Sequence, residues 1–150
     1  MSAKPYPHCV EGCQFIRDGE CRFYELHIPT VAVDFDRTLF RHTDWEGHEQ
    51  CGEPMPGARD AMLELKGMGF TIVVWTTRNQ PDIIAAALKK YDIPYDYINE
   101  NPNQPPDANP SKLTADFYID DRAVRFTNWP FVLTEIRTRL KTDPYYRQGT

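Results

Sequence analysis

The chain has 150 residues, of which 41% are hydrophobic and 26% are charged, as is typical of a globular protein with one sizeable core. No apolar stretch is long enough to cross a bilayer, and the first residues lack the apolar segment of a secretory signal, so we expect a cytoplasmic protein with no membrane partner. The net charge of −5 argues against a general nucleic-acid binder. Residues 122–150 are locally basic, which a solvated helix face explains best.

The first 28 residues differ from the rest of the chain, because they show no clear hydrophobic period and hold three of its four cysteines. We expect residues 1–28 to form an N-terminal extension packed on the domain that follows. The cysteines could bind a structural Zn²⁺, which needs four nitrogen or sulfur ligands. Their spacing is not that of a standard zinc knuckle, so buried or free thiols are the favoured alternative. The candidate zinc ligands are Cys9, Cys13 and Cys21, with His8, His27 or Cys51 as the fourth.

Beyond this extension, short apolar runs alternate with segments of helical period. Residues 28–35, IPTVAVDF, are β-branched and continuously apolar, which predicts a buried strand. A polar loop follows, and Pro56 then stands at a plausible first position of a helix that Gly69 would end. Residues 70–75, FTIVVW, predict a second buried strand, with Trp75 in the core.

The second half of the chain continues the alternation. Asn79 can cap a helix over residues 81–90, and its predicted inner stripe consists of Ile83, Ala87 and Leu88. A short strand at residues 94–99, a loop rich in Pro and Asn, and a fourth strand at residues 115–120 follow. Asn128 can cap a last helix. The predicted inner face of that helix consists of Trp129, Val132, Leu133, Ile136 and Leu140.

Strands that alternate with helices and are apolar on both faces indicate an α/β fold with a parallel sheet covered on two sides. We therefore expect residues 29–142 to form one domain and residues 143–150 to form a loose tail.

Acidic and hydroxyl side chains stand where three of the predicted strands end. Because ligands bind at the carboxyl ends of the strands in such sheets, we expect these side chains to converge on one edge. Carboxylates placed so close together would repel each other unless a hard cation such as Mg²⁺ neutralised them. A hydroxyl and the Lys112 ammonium would suit a bound phosphate, which indicates a phosphoryl-transfer site. The strand-end residues are Asp34 and Asp36, Thr76 and Thr77, and Asp120 and Asp121.

In their order and spacing, these residues resemble a known family. DFDRTL, VVWTTR, Lys112 and FYIDDRA are similar to the four motifs of the haloacid dehalogenase-like (HAD) hydrolases, and most similar to their small phosphatases of the phage and bacterial type. The similarity runs from about residue 29 to residue 126. It implies a Rossmann-like three-layer α/β/α fold around a central parallel sheet, with Mg²⁺ as the cofactor.

The resemblance also implies a role for each site residue. Asp34 would attack phosphorus and form an aspartyl-phosphate, while Asp36 would protonate the leaving oxygen and then deprotonate the attacking water. The family's dehalogenases lack this second acid, so Asp36 favours phosphoester hydrolysis. Thr76 and Lys112 would bind the phosphate. The implied Mg²⁺ ligands are Asp34, the backbone carbonyl of Asp36, and Asp120, with Asp121 as a further ligand through water or as an orienting partner.

Three assignments stay open on the sequence alone. Position 37 is often Gly in this motif, and Arg37 could reach substrate or brace a neighbouring acid or loop. We assign phosphate binding to Thr76, which directly follows the apolar run, with Thr77 as the alternative. The acids could also serve only as helix caps or ion-pair partners, although two acidic pairs at strand ends fit that interpretation poorly. The arginines available for such pairs are Arg78, Arg122 and Arg125.

The loops between the motifs bear on the substrate. Residues 40–56 and 99–113 are too few for a folded cap domain, so we expect an open site. An open site suits a bulky substrate, such as a nucleic-acid end or a phosphoprotein, or a range of substrates. We expect the partner to be a phosphorylated small molecule or a nucleic-acid end, and we favour a monomer. The segment IDDR also resembles the phosphatase halves of polynucleotide end-repair enzymes, which makes a nucleic-acid 3′-phosphatase or nucleotidase the alternative. A non-enzymatic interaction module held together by zinc is the alternative of another class.

Overall fold

A computed structural model describes residues 16–18, 20–21, 27–42 and 50–147. The chain divides into two compact units, Met1–Ile119 and Asp120–Thr150. In the first unit, β1 (Ile16–Arg17) and β2 (Glu20–Cys21) form a small antiparallel hairpin. This hairpin lies within the predicted N-terminal extension.

A four-stranded parallel sheet forms the centre of the first unit. Its strands are β3 (Thr30–Val33), β4 (Thr71–Val74), β5 (Tyr97–Ile98) and β6 (Phe117–Ile119), in the order β5-β4-β3-β6. Helix α1 (Ala58–Gly67) connects β3 to β4, and helix α2 (Pro81–Lys90) connects β4 to β5. The predicted α/β fold with a parallel, Rossmann-like sheet is therefore confirmed.

The two central strands are buried on both faces, as their continuous apolar sequences predict. On one face, Val31 and Val33 of β3 pack in a cluster with residues of both helices, including Met62, Ile84 and Leu88. On the opposite face, the smaller cluster consists of Ala32, Val73 and Leu113.

β6 lies at one edge of the sheet. Its three side chains are all exposed, although the sequence of this segment is as apolar as that of β3. Trp75, which we predicted to be in the core, is 37% exposed at the end of β4, where its ring packs on Tyr118 with the centroids 5.7 Å apart. An apolar run predicts a strand, but it does not predict the strand's place in the sheet.

The helix boundaries correct three details of the sequence interpretation. α1 begins at Ala58 rather than at Pro56, and Gly57 precedes it with a φ of 79°, a left-handed conformation that glycine adopts readily. α2 spans residues 81–90 as predicted, but Gln80 rather than Asn79 is its N-cap residue. Its buried residues are Ile84 and Leu88, whereas Ile83 and Ala87 are only half-buried.

The second unit contains α3 (Trp129–Thr142) and α4 (Pro144–Arg147). The predicted cap of α3 is confirmed, because the side chain of Asn128 accepts a hydrogen bond from the backbone N–H of Phe131 at 2.9 Å. Of the five residues predicted for the inner face of α3, only Val132 is buried among the described residues of this unit, so the rest of that face stays a prediction. A unit of this size has little surface to cover an apolar face. Four residues of the tail that we predicted to be loose, Pro144–Arg147, form α4. No helix among the described residues is long and apolar enough to span a membrane.

Candidate active site at the carboxyl edge of the sheet

The strand order reverses at β3, which is where ligands bind in sheets of this kind. β3 pairs with β4 on one side and with β6 on the other, although β6 comes last in the chain. Asp34 directly follows β3, and its backbone N–H donates to the carbonyl of Ile119 at 2.8 Å. Val33 and Ile119 are paired in register, so Asp34 and Asp120 each follow a member of the same strand pair. Asp34 therefore lies at the carboxyl end of β3, as predicted, and at the switch point of the strand order.

A tight turn over residues 35–40 shapes the surroundings of Asp34. The backbone N–H groups of Leu39 and Phe40 both donate to the carbonyl of Phe35. Thr38 Oγ1 donates to Asp34 Oδ2 at 3.4 Å, and the Asp34 side chain is half-buried. The turn thus places the hydroxyl of Thr38 beside the carboxylate of Asp34.

Arg37 occupies the position of this turn that is often glycine in the resembling family. Its φ is 63°, in the left-handed region, where a side chain costs about 1–2 kcal/mol that glycine avoids. The Arg37 side chain is half-buried.

Asp36 forms a two-pronged ion pair that the sequence interpretation treated only as an alternative. Arg78 donates from Nε to Asp36 Oδ2 and from a terminal nitrogen to Oδ1, both at 2.8 Å. His42 Nδ1 is 3.6 Å from the same Oδ1 atom. Of the acids at the strand ends, Asp36 therefore does form the ion pair with an arginine that the sequence left open as an alternative.

The environment of Arg78 explains how a charged group is tolerated there. Its side chain is 4% exposed, its second terminal nitrogen donates to the Gln50 carbonyl at 3.0 Å, and its guanidinium lies 5.5 Å from the centre of the Phe35 ring. The hydrogen bonds to Asp36 raise the pKa of Arg78 above its usual range, in spite of burial. For the neighbouring Cys51 thiol, in contrast, burial itself raises the pKa, because burial disfavours the charged thiolate.

Thr76 lies in the loop after β4, and Asn99 holds that loop. The Thr76 N–H donates to Asn99 Oδ1 at 2.7 Å, and the Asn99 amide donates to the carbonyl of Arg78 at 3.0 Å. Thr76 Oγ1 accepts a hydrogen bond from the N–H of Arg78 at 3.2 Å, while Thr77 is exposed. The residue that closes this local turn is therefore Thr76, to which we assign phosphate binding. The Thr76 hydroxyl keeps its own proton to donate.

Sequence reasoning missed Asn99, although a signal was present. Asn99 directly follows β5, so it is a polar residue at the carboxyl end of a strand, as Asp34 is. Its φ of 56° is left-handed, a conformation that Asn tolerates better than most residues.

Lys112 is not brought to the acids by any described contact. It lies in the loop before β6, and its side chain is exposed and forms no ion pair with the other described residues. Gln104 organises this loop by donating to the carbonyls of Asn109 and Lys112 and by accepting from the N–H of Thr114. Hydrogen bonds order the loop, and the assignment of Lys112 to phosphate binding stays a prediction.

Asp120 and Asp121 begin the second unit, and both side chains are exposed. Asp120 Oδ1 accepts a hydrogen bond from the N–H of Arg122 at 2.7 Å, which closes a local turn. That bond uses one lone pair of one oxygen and leaves the others for further ligands.

The predicted zinc ligands lie largely outside the described residues, which include neither Cys9 nor Cys13 nor the side chain of Cys21. His27, a candidate fourth ligand, bonds through Nε2 to Asp116 at 2.8 Å. Cys51 is half-buried beside the core.

A groove of about 730 Å³ lies at the opposite edge of the sheet. Its lining includes Thr30, where β3 begins, and Asp116, which precedes β6. None of the predicted catalytic residues lines this groove, so we do not take the groove as the candidate active site. The carboxyl edge is the candidate site because of its chemistry.

Comparison with known proteins extends the account of the fold. No family model matches the chain, and no curated protein matches it significantly. The solved structure of a conserved protein from Bacteroides thetaiotaomicron is 24% identical, with a TM-score of 0.53, over 75% of this chain and 93% of that one. A Vibrio cholerae protein is 23% identical, with a TM-score of 0.43, over 74% of this chain and 98% of that one. The similarity to the Bacteroides protein supports the α/β fold alone.

Proposed function

We propose that this protein is a Mg²⁺-dependent phosphatase of the HAD type that works through an aspartyl-phosphate on Asp34. The observation that carries the proposal is the place of Asp34. It directly follows a buried central strand at the point where the strand order reverses. A half-buried carboxylate at such a position is poorly explained as a surface charge.

The donor atoms at this edge fit Mg²⁺, since the ligands proposed from the family resemblance are carboxylate and carbonyl oxygens. Asp34, the backbone carbonyl of Asp36, and Asp120 would hold the ion, with Asp121 binding through water or orienting a neighbour. When bound, the ion would neutralise negative charge on the acids and on the transferred phosphoryl group.

The side chains of the chain itself would carry out two displacements. In the first, Asp34 forms a bond to phosphorus as the bond to the leaving oxygen breaks, and Asp36 gives that oxygen a proton. In the second, a water molecule displaces Asp34 from phosphorus and gives a proton to Asp36. The hydroxyl of Thr76, or of Thr77, would donate to a phosphoryl oxygen. The positively charged side chains of Arg37 and Lys112 would bind the negatively charged substrate.

The test is the release of p-nitrophenol from p-nitrophenyl phosphate, with and without Mg²⁺. We expect turnover that requires the metal and that falls by at least about 10³-fold in Asp34→Asn, because the amide cannot act as the nucleophile. Undiminished turnover in Asp34→Asn would rule out the proposed nucleophile. Bound zinc together with no hydrolysis across a broad phosphoester panel would favour the zinc-held interaction module.

A 3′-phosphatase acting on nucleic-acid ends is the second candidate. The basic side chains of the second unit favour it, since Arg122, Arg125, Arg137 and Lys141 are all exposed. This activity predicts faster phosphate release from an oligonucleotide 3′-phosphate than from a 3′-mononucleotide. Equal or slower release from the oligonucleotide would exclude it.

A further inference from the structure

Among the described residues, Arg78 is the only charged residue that is buried. A buried guanidinium is costly unless its hydrogen bonds are satisfied. Asp36 receives two of those bonds, and the carbonyl of Gln50 receives a third. The two-pronged geometry fixes the plane of the Asp36 carboxylate and its direction, which a single surface contact would not do.

Both backbone polar groups of Arg78, its N–H and its carbonyl, are hydrogen-bonded to neighbouring side chains. Its N–H donates to Thr76 Oγ1, and its carbonyl accepts from the amide of Asn99. Asn99 in turn is anchored to β4, since its N–H donates to the carbonyl of Val74 at 2.8 Å. The ends of β5 and β4 are thus linked through Arg78 to the turn after β3.

We propose that Arg78 is a positioning residue that aims the carboxylate of Asp36 at the leaving oxygen, and that Asn99 keeps Arg78 in place for this purpose. The proposal rests on the phosphatase function proposed above. The ion pair occupies one lone pair on each Asp36 oxygen and leaves the other lone pairs for a proton. Asp36 can therefore give a proton to the leaving oxygen, and later take one from water, while it stays bound to Arg78.

The leaving group of the substrate separates this role from a merely structural one. p-Nitrophenolate leaves readily without a proton, whereas an alkoxide from an alkyl phosphate needs one. General acid catalysis contributes about 10²–10⁴-fold, so misplacing Asp36 should matter only for the alkyl substrate. The comparison uses kcat/KM, which reports on phosphoryl transfer to Asp34 and not on the later attack of water.

The experiment compares both substrates in the full-length protein with Mg²⁺ for Arg78→Lys, Arg78→Met and Asn99→Ala. We expect kcat/KM for the alkyl phosphate to fall by about 10² or more in Arg78→Met, and kcat/KM for p-nitrophenyl phosphate to fall less than about 10-fold. Arg78→Lys keeps the positive charge but cannot form the two parallel hydrogen bonds to Asp36. It should therefore also lose more activity on the alkyl phosphate than on p-nitrophenyl phosphate. Arg59→Met, which alters an exposed arginine on α1, is the matched control and should behave as the wild type.

A double-mutant cycle supplies the second measurement. If Arg78 acts through Asp36, the loss on the alkyl phosphate in Asp36→Asn should not deepen when Arg78→Lys is added. Equal losses on the two substrates, or additive losses in the cycle, would overturn the proposal while the phosphatase function stands. A wild-type protein inactive on both substrates would instead contradict the phosphatase function, and this proposal with it. Thermal melting identifies any variant that fails to fold, in which case Asn99→Ala, which leaves no buried charge unpaired, carries the comparison.

Discussion

Asp34 and Asp36 are separated by one residue, but their side chains meet different neighbours. Asp34 accepts a hydrogen bond from the hydroxyl of Thr38, while Asp36 forms an ion pair with Arg78. The sequence alone predicted the two acids at a strand end, because an apolar run followed by carboxylates is a local pattern. It could not decide which acid pairs with Arg78, because that contact joins residues 42 positions apart.

A residue-scale prediction concerns the left-handed turn at Arg37. Arg37→Ala and Arg37→Gly both remove the side chain and its contacts, so they differ mainly in the backbone. We expect the glycine variant to be more stable than the alanine variant by about 1 kcal/mol, because only alanine clashes at positive φ. Urea unfolding measures the difference. Arg59 on α1 is the matched control, where glycine should be less stable than alanine by a similar amount. Equal stability of the two Arg37 variants would contradict the strained turn.

At the scale of elements, the strands and helices were predictable within a few residues, because apolar period and capping residues are local signals. β3, β4 and α2 lie where predicted, and the Asn128 cap forms. The position of β6 at the sheet edge was not predictable, because strand order is decided by long-range pairing.

One element-scale prediction tests which face of α2 is buried. Ile84 is fully buried, whereas Ile83, its chemically identical neighbour, is half-buried. Ile84→Ala should lower the free energy of unfolding by about 2–5 kcal/mol, since the cavity it leaves is in the core. Ile83→Ala is the matched control and should cost clearly less. The interpretation of this face is wrong if Ile83→Ala costs as much as Ile84→Ala in urea unfolding.

A second element-scale prediction concerns the start of β3. Asp116 accepts hydrogen bonds from the N–H of Thr30 at 2.7 Å and from His27. Asp116→Ala should lower the free energy of unfolding by about 1–3 kcal/mol, because it removes the acceptor for a partly buried N–H. Asp116→Asn keeps an acceptor oxygen and should cost less. Chemical denaturation of both variants provides the check, and an alanine variant as stable as the asparagine variant would contradict the role of this bond.

At the scale of the whole molecule, the sequence predicted a parallel α/β fold with acids at the carboxyl edge, and the structure has both. It did not specify what covers the apolar stripe of α3, because an amphipathic helix pattern does not identify the partner of that stripe. The burial of Arg78 and its contact with Asn99 were equally beyond local patterns, although Asn99 itself carried a signal as a polar residue at a strand end. Both depend on three strand ends meeting at one edge.

The most direct test of the central claim is to find the phosphoryl group on Asp34. Asp36→Asn should form the aspartyl-phosphate from p-nitrophenyl phosphate but hydrolyse it slowly, because no base is left to activate water. After an acid quench, mass spectrometry of peptides should show one phosphoryl addition on the peptide that contains Asp34, and none in the Asp34→Asn, Asp36→Asn double variant. A phosphoryl group on another residue, or steady turnover in Asp34→Asn, would contradict the account.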